Sequence, residues 1–228
     1  MTRFRFPVYD AAMYRAAIFD LDGTLVDTLG DIASAMNAAL VSRGFTERTR
    51  EDYRVLVGRG MRALAEDLIP PAARTAGMIA ACAADAIAAY LAAPAVLSRA
   101  YDGIPELLVS LARRNIPCAV LTNKAESVAL AVVDALFPPL TFRLVRGDRA
   151  DFPTKPDPAS ALDVARLLGA RREEVLYLGD SETDVETARN AGFFMAGAAW
   201  GFRGRPALAA IGCDFVIDRP AELLAFFN

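Results

Sequence analysis

Six short runs, Ala16–Phe19, Cys118–Leu121, Phe142–Val145, Val175–Leu178, Phe193–Ala196 and Phe215–Ile217, are apolar almost from end to end. A strand that alternates apolar and polar residues can leave one face in water. A strand apolar throughout must be covered on both faces. Segments with helical periodicity lie between most of these runs: Pro105–Arg114, Ala125–Leu136, Pro158–Leu168, Thr183–Asn190 and, after the last run, Pro220–Phe226. Several open with Pro or an acid in the first turn, as helix starts do. Buried strands alternating with helices predict an α/β fold, a doubly wound parallel sheet with helices on both faces.

One stretch interrupts the alternation. From about Leu29 to Val96 no strand pattern is found, and the segment reads as helical over Asp31–Ser42, Met61–Leu68 and Ala72–Leu91. The last of these is rich in Ala, the best helix former, and Ile79, Ile87 and Leu91 are spaced to share a face. The expected organisation is an α/β core of residues 15–27 and 97–228, an inserted all-helical domain of residues 28–96, and an N-terminal extension of residues 1–14 with no assigned role.

Bulk properties exclude several classes of function. With 228 residues, 54% of them hydrophobic, a large core is within reach. The net charge of −3 points to no nucleic-acid partner. No apolar run reaches the roughly 18 residues needed to span a bilayer, so no membrane partner is expected. The basic start of the chain lacks a continuous apolar stretch and makes a poor signal peptide. Cys82, Cys118 and Cys213 are odd in number and scattered, which suits buried thiols in a reducing compartment. The chain has no His, which removes imidazole from every catalytic scheme.

In an open α/β sheet, ligands bind beyond the carboxyl ends of the strands. Asp20 and Asp22 follow the first run, Thr122, Asn123 and Lys124 the second, and Asp180, Ser181 and Asp184 the fourth, while Lys155 precedes the Pro158 helix. The topology therefore gathers carboxylates, a hydroxyl, an amide and a lysine on one rim. Clustered carboxylates repel one another unless they hold a cation or share protons. An all-oxygen donor set favours a hard ion, Mg²⁺, working with a phosphate. A carboxylate left over can act as a nucleophile. Taken singly, each group has a plainer reading: Thr122 or Asp180 as a helix cap, Lys155 as a solvated loop cation. Lys124 and Lys155 are the chain's only lysines.

Together these residues resemble the haloacid dehalogenase superfamily of phosphotransferases. "DLDGTLVDT" matches that family's first motif, "LTN" the second, Lys155 in "TKPDP" the third and "GDSETD" the fourth, in the right order. The resemblance runs from about residue 15 to the end, and the helical insertion sits where the family carries a helical cap. It implies Asp20 as nucleophile and Asp22 as general acid, then base. It implies a Mg²⁺ ion held by Asp20, the main-chain carbonyl of Asp22 and Asp180, with Asp184 assisting through water or by orienting Lys155. Thr122 and Lys155 would bind phosphoryl oxygens, with Gly23 and Asn123 in the same substrate-binding set.

Departures narrow the choice within the family. The dehalogenases lack the acid found at Asp22, and the phosphonate hydrolases use a cap lysine that this insertion lacks. The phosphomutases remain open, although their cap histidine cannot exist here. The nearest likeness is to phosphoglycolate phosphatases, carried by "VGRGMRAL", "YDGIPELLVSLARRNIPCAVLTNK" and "YLGDSETDVETARNAG" followed by "WGFRG". It implies a cytoplasmic enzyme, monomeric or homodimeric, acting on a small phosphorylated metabolite, with 2-phosphoglycolate the best choice. Pyrophosphate and sugar phosphates are the alternatives. A receiver-like phosphoacceptor switch is the non-enzyme alternative, opposed by Asp22 and by the helical insertion. In "VGRGMRAL", Arg59 and Arg62 beside Gly58 and Gly60 are expected to read a substrate carboxylate.

Overall fold

In the computed structural model, which describes residues 14–227, six strands form one parallel sheet in the order β5-β4-β1-β6-β7-β8. These are β1 (Ala16–Phe19), β4 (Cys118–Ala125), β5 (Leu144–Asp148), β6 (Val175–Gly179), β7 (Phe194–Ala198) and β8 (Phe215–Ile217). The expected runs are recovered with small shifts of boundary. Successive β1 side chains enter opposite cores, as a period of two requires. Ala17 and Phe19 pack on one face with Leu107 and Leu108 of α5 (Ile104–Arg113) and Val128 and Val132 of α6 (Glu126–Leu136). Ala16 and Ile18 pack on the other with Val164 of α7 (Ala159–Leu167) and Val185 and Ala188 of α8 (Glu182–Ala191).

The strand order reverses at β1, which lies between β4 and β6. A switch point of this kind opens a crevice beyond the strand ends. The acids of β1 and β6 therefore face one another there. Strand β4 runs on to Ala125, four residues past the expected end, with a shift of register against β5 between Leu121 and Ala125. Consecutive Thr122, Asn123 and Lys124 are all buried within this irregular stretch instead of lying in a loop.

Helices α1 (Leu29–Val41), α2 (Arg50–Leu56), α3 (Met61–Leu68) and α4 (Ala76–Ala92) fill the interrupted stretch. The expected apolar face of α4 needs correction. Its buried residues are Ile79, Cys82, Ala83, Ala86 and Tyr90, while Leu91 is exposed. The chain reaches and leaves these helices through two short strands, β2 (Val26–Asp27) and β3 (Arg99–Ala100), paired antiparallel with Val26 opposite Ala100. Residues 1–13 of the expected extension lie outside the described residues, and Tyr14 is buried.

Asp31 on α1 fastens the return passage. Its carboxylate accepts hydrogen bonds from Leu97 N at 3.0 Å, Ser98 N at 2.8 Å and Ser98 Oγ at 2.6 Å. Replacing Asp31 by Ala strands these donors in a largely buried setting. The expected result is a loss of about 2–4 kcal/mol of stability, measured as a lower urea midpoint at unchanged slope. An unchanged midpoint would mean that water replaces the carboxylate.

Candidate active site

Strand β1 ends at Asp20, whose N–H donates to Leu178 O on β6 at 2.9 Å. The main chain then turns through Gly23 at φ +84°, and a Cβ there would fall inside the Asp180 carboxylate. The Gly23 N–H donates to Val26 O at 2.9 Å, which closes the turn. This glycine supplies space for Asp180.

The two lysines divide the acids between them. Lys155 Nζ lies 2.8 Å from Asp20 Oδ1 and 2.6 Å from Asp184 Oδ1, and also meets Leu121 O at 3.2 Å and Tyr177 Oη at 3.1 Å. Lys124 Nζ lies 2.9 Å and 3.3 Å from the two oxygens of Asp22 and sits over the Tyr90 ring, 4.2 Å from its centre. Thr28 Oγ1 donates to Asp22 Oδ1 at 2.6 Å. Neither Lys124 as the partner of Asp22 nor Tyr177 and Thr28 as supports was expected from the sequence. The signal for Lys124 was its rarity as one of only two lysines.

Asp184 is fully engaged. Its Oδ2 accepts from Asp180 N at 3.2 Å, Ser181 N at 3.1 Å and Ser181 Oγ at 2.7 Å, while Oδ1 faces Lys155 and Tyr177. Asp180 accepts from Phe202 N at 2.6 Å and lies 3.5 Å from Thr24 Oγ1. The stretch "WGFRG" holds this corner: Trp200 Nε1 donates to Thr24 O at 2.9 Å, and Arg203 Nη1 donates to Arg54 O at the end of α2 at 2.7 Å.

One carboxylate oxygen each from Asp20, Asp180 and Asp184 lie within 4.8 Å of one another. Burial, then the charge of Asp184, pushes the Asp20 carboxyl up to about 7, against the opposing pull of Lys155. Burial and the neighbouring Asp184 and Asp20 hold Asp180 well above the carboxylate range. For Lys155, burial opposes the charge, yet Asp184 and Asp20 together keep its ammonium well above the usual lysine value. The cluster thus favours protons when metal-free and suits a divalent cation in their place.

Over this floor lies a cavity of about 40 Å³. Asp20, Asp22, Thr122, Asn123 and Lys124 face it from the sheet side, and Val57, Met61, Leu64 and Ile87 from the helical segment. Thr122 Oγ1 accepts from Lys124 N at 3.2 Å, which leaves its hydroxyl proton to donate elsewhere. The Asn123 carboxamide is spent on main chain: Nδ2 donates to Gly58 O and Lys155 O, each at 3.1 Å, and Oδ1 accepts from Lys155 N at 2.8 Å. Asn123 therefore lines the cavity with its side chain already satisfied.

The structure does not bring Arg59 and Arg62 to the cavity. Both are exposed, Arg59 is ion-paired with Asp67 and keeps 60% of its side-chain surface, and neither is among the lining residues. The expectation that they read a carboxylate is corrected in this conformation. The turn that carries them does approach the site through its glycines, since a Cβ on Gly60 would lie 2.9 Å from Asn123 O.

The family model for haloacid dehalogenase-like hydrolases matches residues 17–198. Phosphoglycolate phosphatase 1 of Pseudomonas aeruginosa is 32% identical over 222 residues, covering 96% of this chain and 81% of that protein. The N-acetylmuramic acid 6-phosphate phosphatase of the same organism is 31% identical over 214 residues, covering 92% and 93%. A crystal structure from Lactobacillus delbrueckii subsp. bulgaricus superposes with a TM-score of 0.86 at 28% identity, covering 95% of this chain and 99% of that one. Acids beyond β1 and β6, a lysine between them and a match running through both strands make this chain a member of the haloacid dehalogenase-like hydrolases, similar to their phosphoglycolate phosphatases.

Proposed function

We propose that this enzyme is a Mg²⁺-dependent phosphomonoester hydrolase acting on a small acid phosphate, 2-phosphoglycolate. The observation that carries this reading is the division of the two β1 acids between separate lysines, Asp20 with Lys155 and Asp22 with Lys124. Neighbouring acids with different partners can hold different roles. The Asp20 carboxylate attacks phosphorus as the ester P–O bond breaks. Asp22, protonated, gives its proton to the departing oxygen and releases glycolate. Asp22 then takes a proton from the water that attacks the aspartyl-phosphate, which frees phosphate and restores Asp20. Lys155 and the Thr122 hydroxyl face the phosphoryl oxygens.

The available donors are carboxylate and carbonyl oxygens, which suits a hard cation. Asp20, Asp180 and the Asp22 carbonyl would hold it. Asp184, with both oxygens engaged, serves as their support and not as a direct ligand. Bound there, Mg²⁺ supplies charge neutralisation and orientation of a phosphoryl oxygen. The helical segment of residues 28–96 acts as a cap that closes off water. Its apolar contribution to the cavity favours a small leaving group over a polyhydroxylated sugar, which such a lining cannot hydrogen-bond.

The test is phosphate release from 2-phosphoglycolate, a hexose 6-phosphate and pyrophosphate, with Mg²⁺ and with chelator. The highest kcat/KM is expected for 2-phosphoglycolate, with no turnover in chelator. Turnover undiminished by chelation would rule out the metal, and preference for either other substrate would rule out the acid phosphate. A pH dependence follows from Asp20. Its carboxyl, raised to about 7, is mostly protonated at pH 6 and must lose that proton to bind a cation. Apparent Mg²⁺ affinity is therefore expected to strengthen from pH 6 to pH 8 by about tenfold for the Asp20 proton alone, and by more where the raised Asp180 also gives one up. Mg²⁺ activation curves at the two values measure it, and superimposable curves would contradict it.

A further inference from the structure

A carboxylate on the leaving group needs a cation, and the expected arginines are elsewhere. Lys124 is the one cationic side chain among the described residues lining the cavity. Its side chain is only 3% exposed, so its charge acts in a setting that water screens poorly. Lys155 stands on the nucleophile's side of the site, with Asp20, Asp184, Tyr177 and a main-chain carbonyl already around its ammonium. Lys124 stands on the other side, bonded to the acid that faces the departing oxygen. An ammonium has three donors. Asp22 and the face of Tyr90 occupy part of its surroundings, and the cavity adjoins it.

From these positions we infer that Lys124 is the specificity-determining residue that binds a carboxylate carried by the leaving group, two bonds from the ester oxygen. The inference rests on the reading of Asp22 as the group facing that oxygen. In 2-phosphoglycolate a single methylene separates the ester oxygen from the carboxylate. Asp22 and Lys124, in direct contact, offer a proton donor and a cation at matching close range. The apolar residues opposite, Val57, Met61, Leu64 and Ile87, supply no side-chain hydrogen-bond donor to take the carboxylate instead.

The experiment compares kcat/KM for 2-phosphoglycolate and for 2-hydroxyethyl phosphate, which has the same length and a neutral end, in the wild type, Lys124→Gln and Lys124→Arg. Gln keeps a donor for Asp22 and removes the charge. Losing a charged contact in a buried site should reduce the preference for the acid by roughly 30- to 1,000-fold in Lys124→Gln, while Lys124→Arg retains much of it. Inhibition by glycolate against inhibition by ethylene glycol gives a second readout, independent of turnover: Lys124→Gln should lose the difference. Equal losses on both esters, with glycolate inhibition unchanged, would mean that Lys124 serves only Asp22 or the phosphate, and would overturn the inference. A wild type with no preference for the acid would overturn the substrate reading itself. A wild-type preference that survives in Lys124→Gln would overturn only the role of Lys124.

Discussion

Replacing Asp20 by Asn is expected to cut turnover by on the order of 10⁴-fold or more, with the fold intact. Removing a nucleophile in an interdependent site costs about as much as removing the whole set, and phosphate monoesters are among the slowest substrates to react unaided. Asn keeps the shape beside Lys155 but cannot form the acyl phosphate. Replacing Asp22 by Asn should act differently. The nucleophile survives, so a reactive ester with a good leaving group should still phosphorylate Asp20, while hydrolysis stalls for want of a base. Intact-mass measurement after mixing would show a phosphorylated Asp22→Asn protein and an unmodified Asp20→Asn protein. Substantial turnover in Asp20→Asn would sink the covalent mechanism.

Lys155→Met is expected to be inactive and also less stable, by about 3–5 kcal/mol at pH 8, because it leaves Asp20 and Asp184 buried without their cation. The sign of its pH dependence is fixed. A carboxyl raised in the folded protein favours folding below its unfolded value near 4 and loses that advantage as pH rises through its folded value. For Asp20 the folded value is about 7 with Lys155 present, and removing the ammonium pushes it higher. The penalty of the variant should therefore be small at pH 5, where Asp20 holds its proton, and large at pH 8. Urea midpoints at the two pH values measure this. A penalty independent of pH would show that Lys155 contributes packing and not charge.

The sheet was legible because its strands are buried on both sides: Ala16–Phe19 and Val175–Leu178 are apolar at each position, which no exposed element tolerates. Two helices were not. Helix α2, "REDYRVL", buries only Tyr53, and α9 (Gly204–Ile211) opens with Gly204 and Pro206 and buries only Leu208. Neither carries enough of a face to stand out from a loop. At the site, Asp20, Asp22, Thr122, Lys155, Asp180 and Asp184 converge because strand ends converge, a property of topology that the order of motifs conveys. Side-chain direction is not conveyed. Arg59 and Arg62 had the right charge beside the right turn, yet point away to Asp67 and to solvent. Lys124 looked like one more residue after a strand, until the irregular end of β4 turned it inward to Asp22.

The Asn123 carboxamide spans two bodies of the protein, one hydrogen going to Gly58 in the helical segment and the other to Lys155 in the sheet's loop. Any outward swing of the helices must break the first contact, but the second, with the return bond from Lys155 N, lies wholly on the sheet side. Were the doorway to open, the Arg203 bonds to Arg54 O and Val57 O would have to part along with it, yet the hearth would need no retuning: Lys155 would keep its seat beside Asp20 whichever way the helices stood.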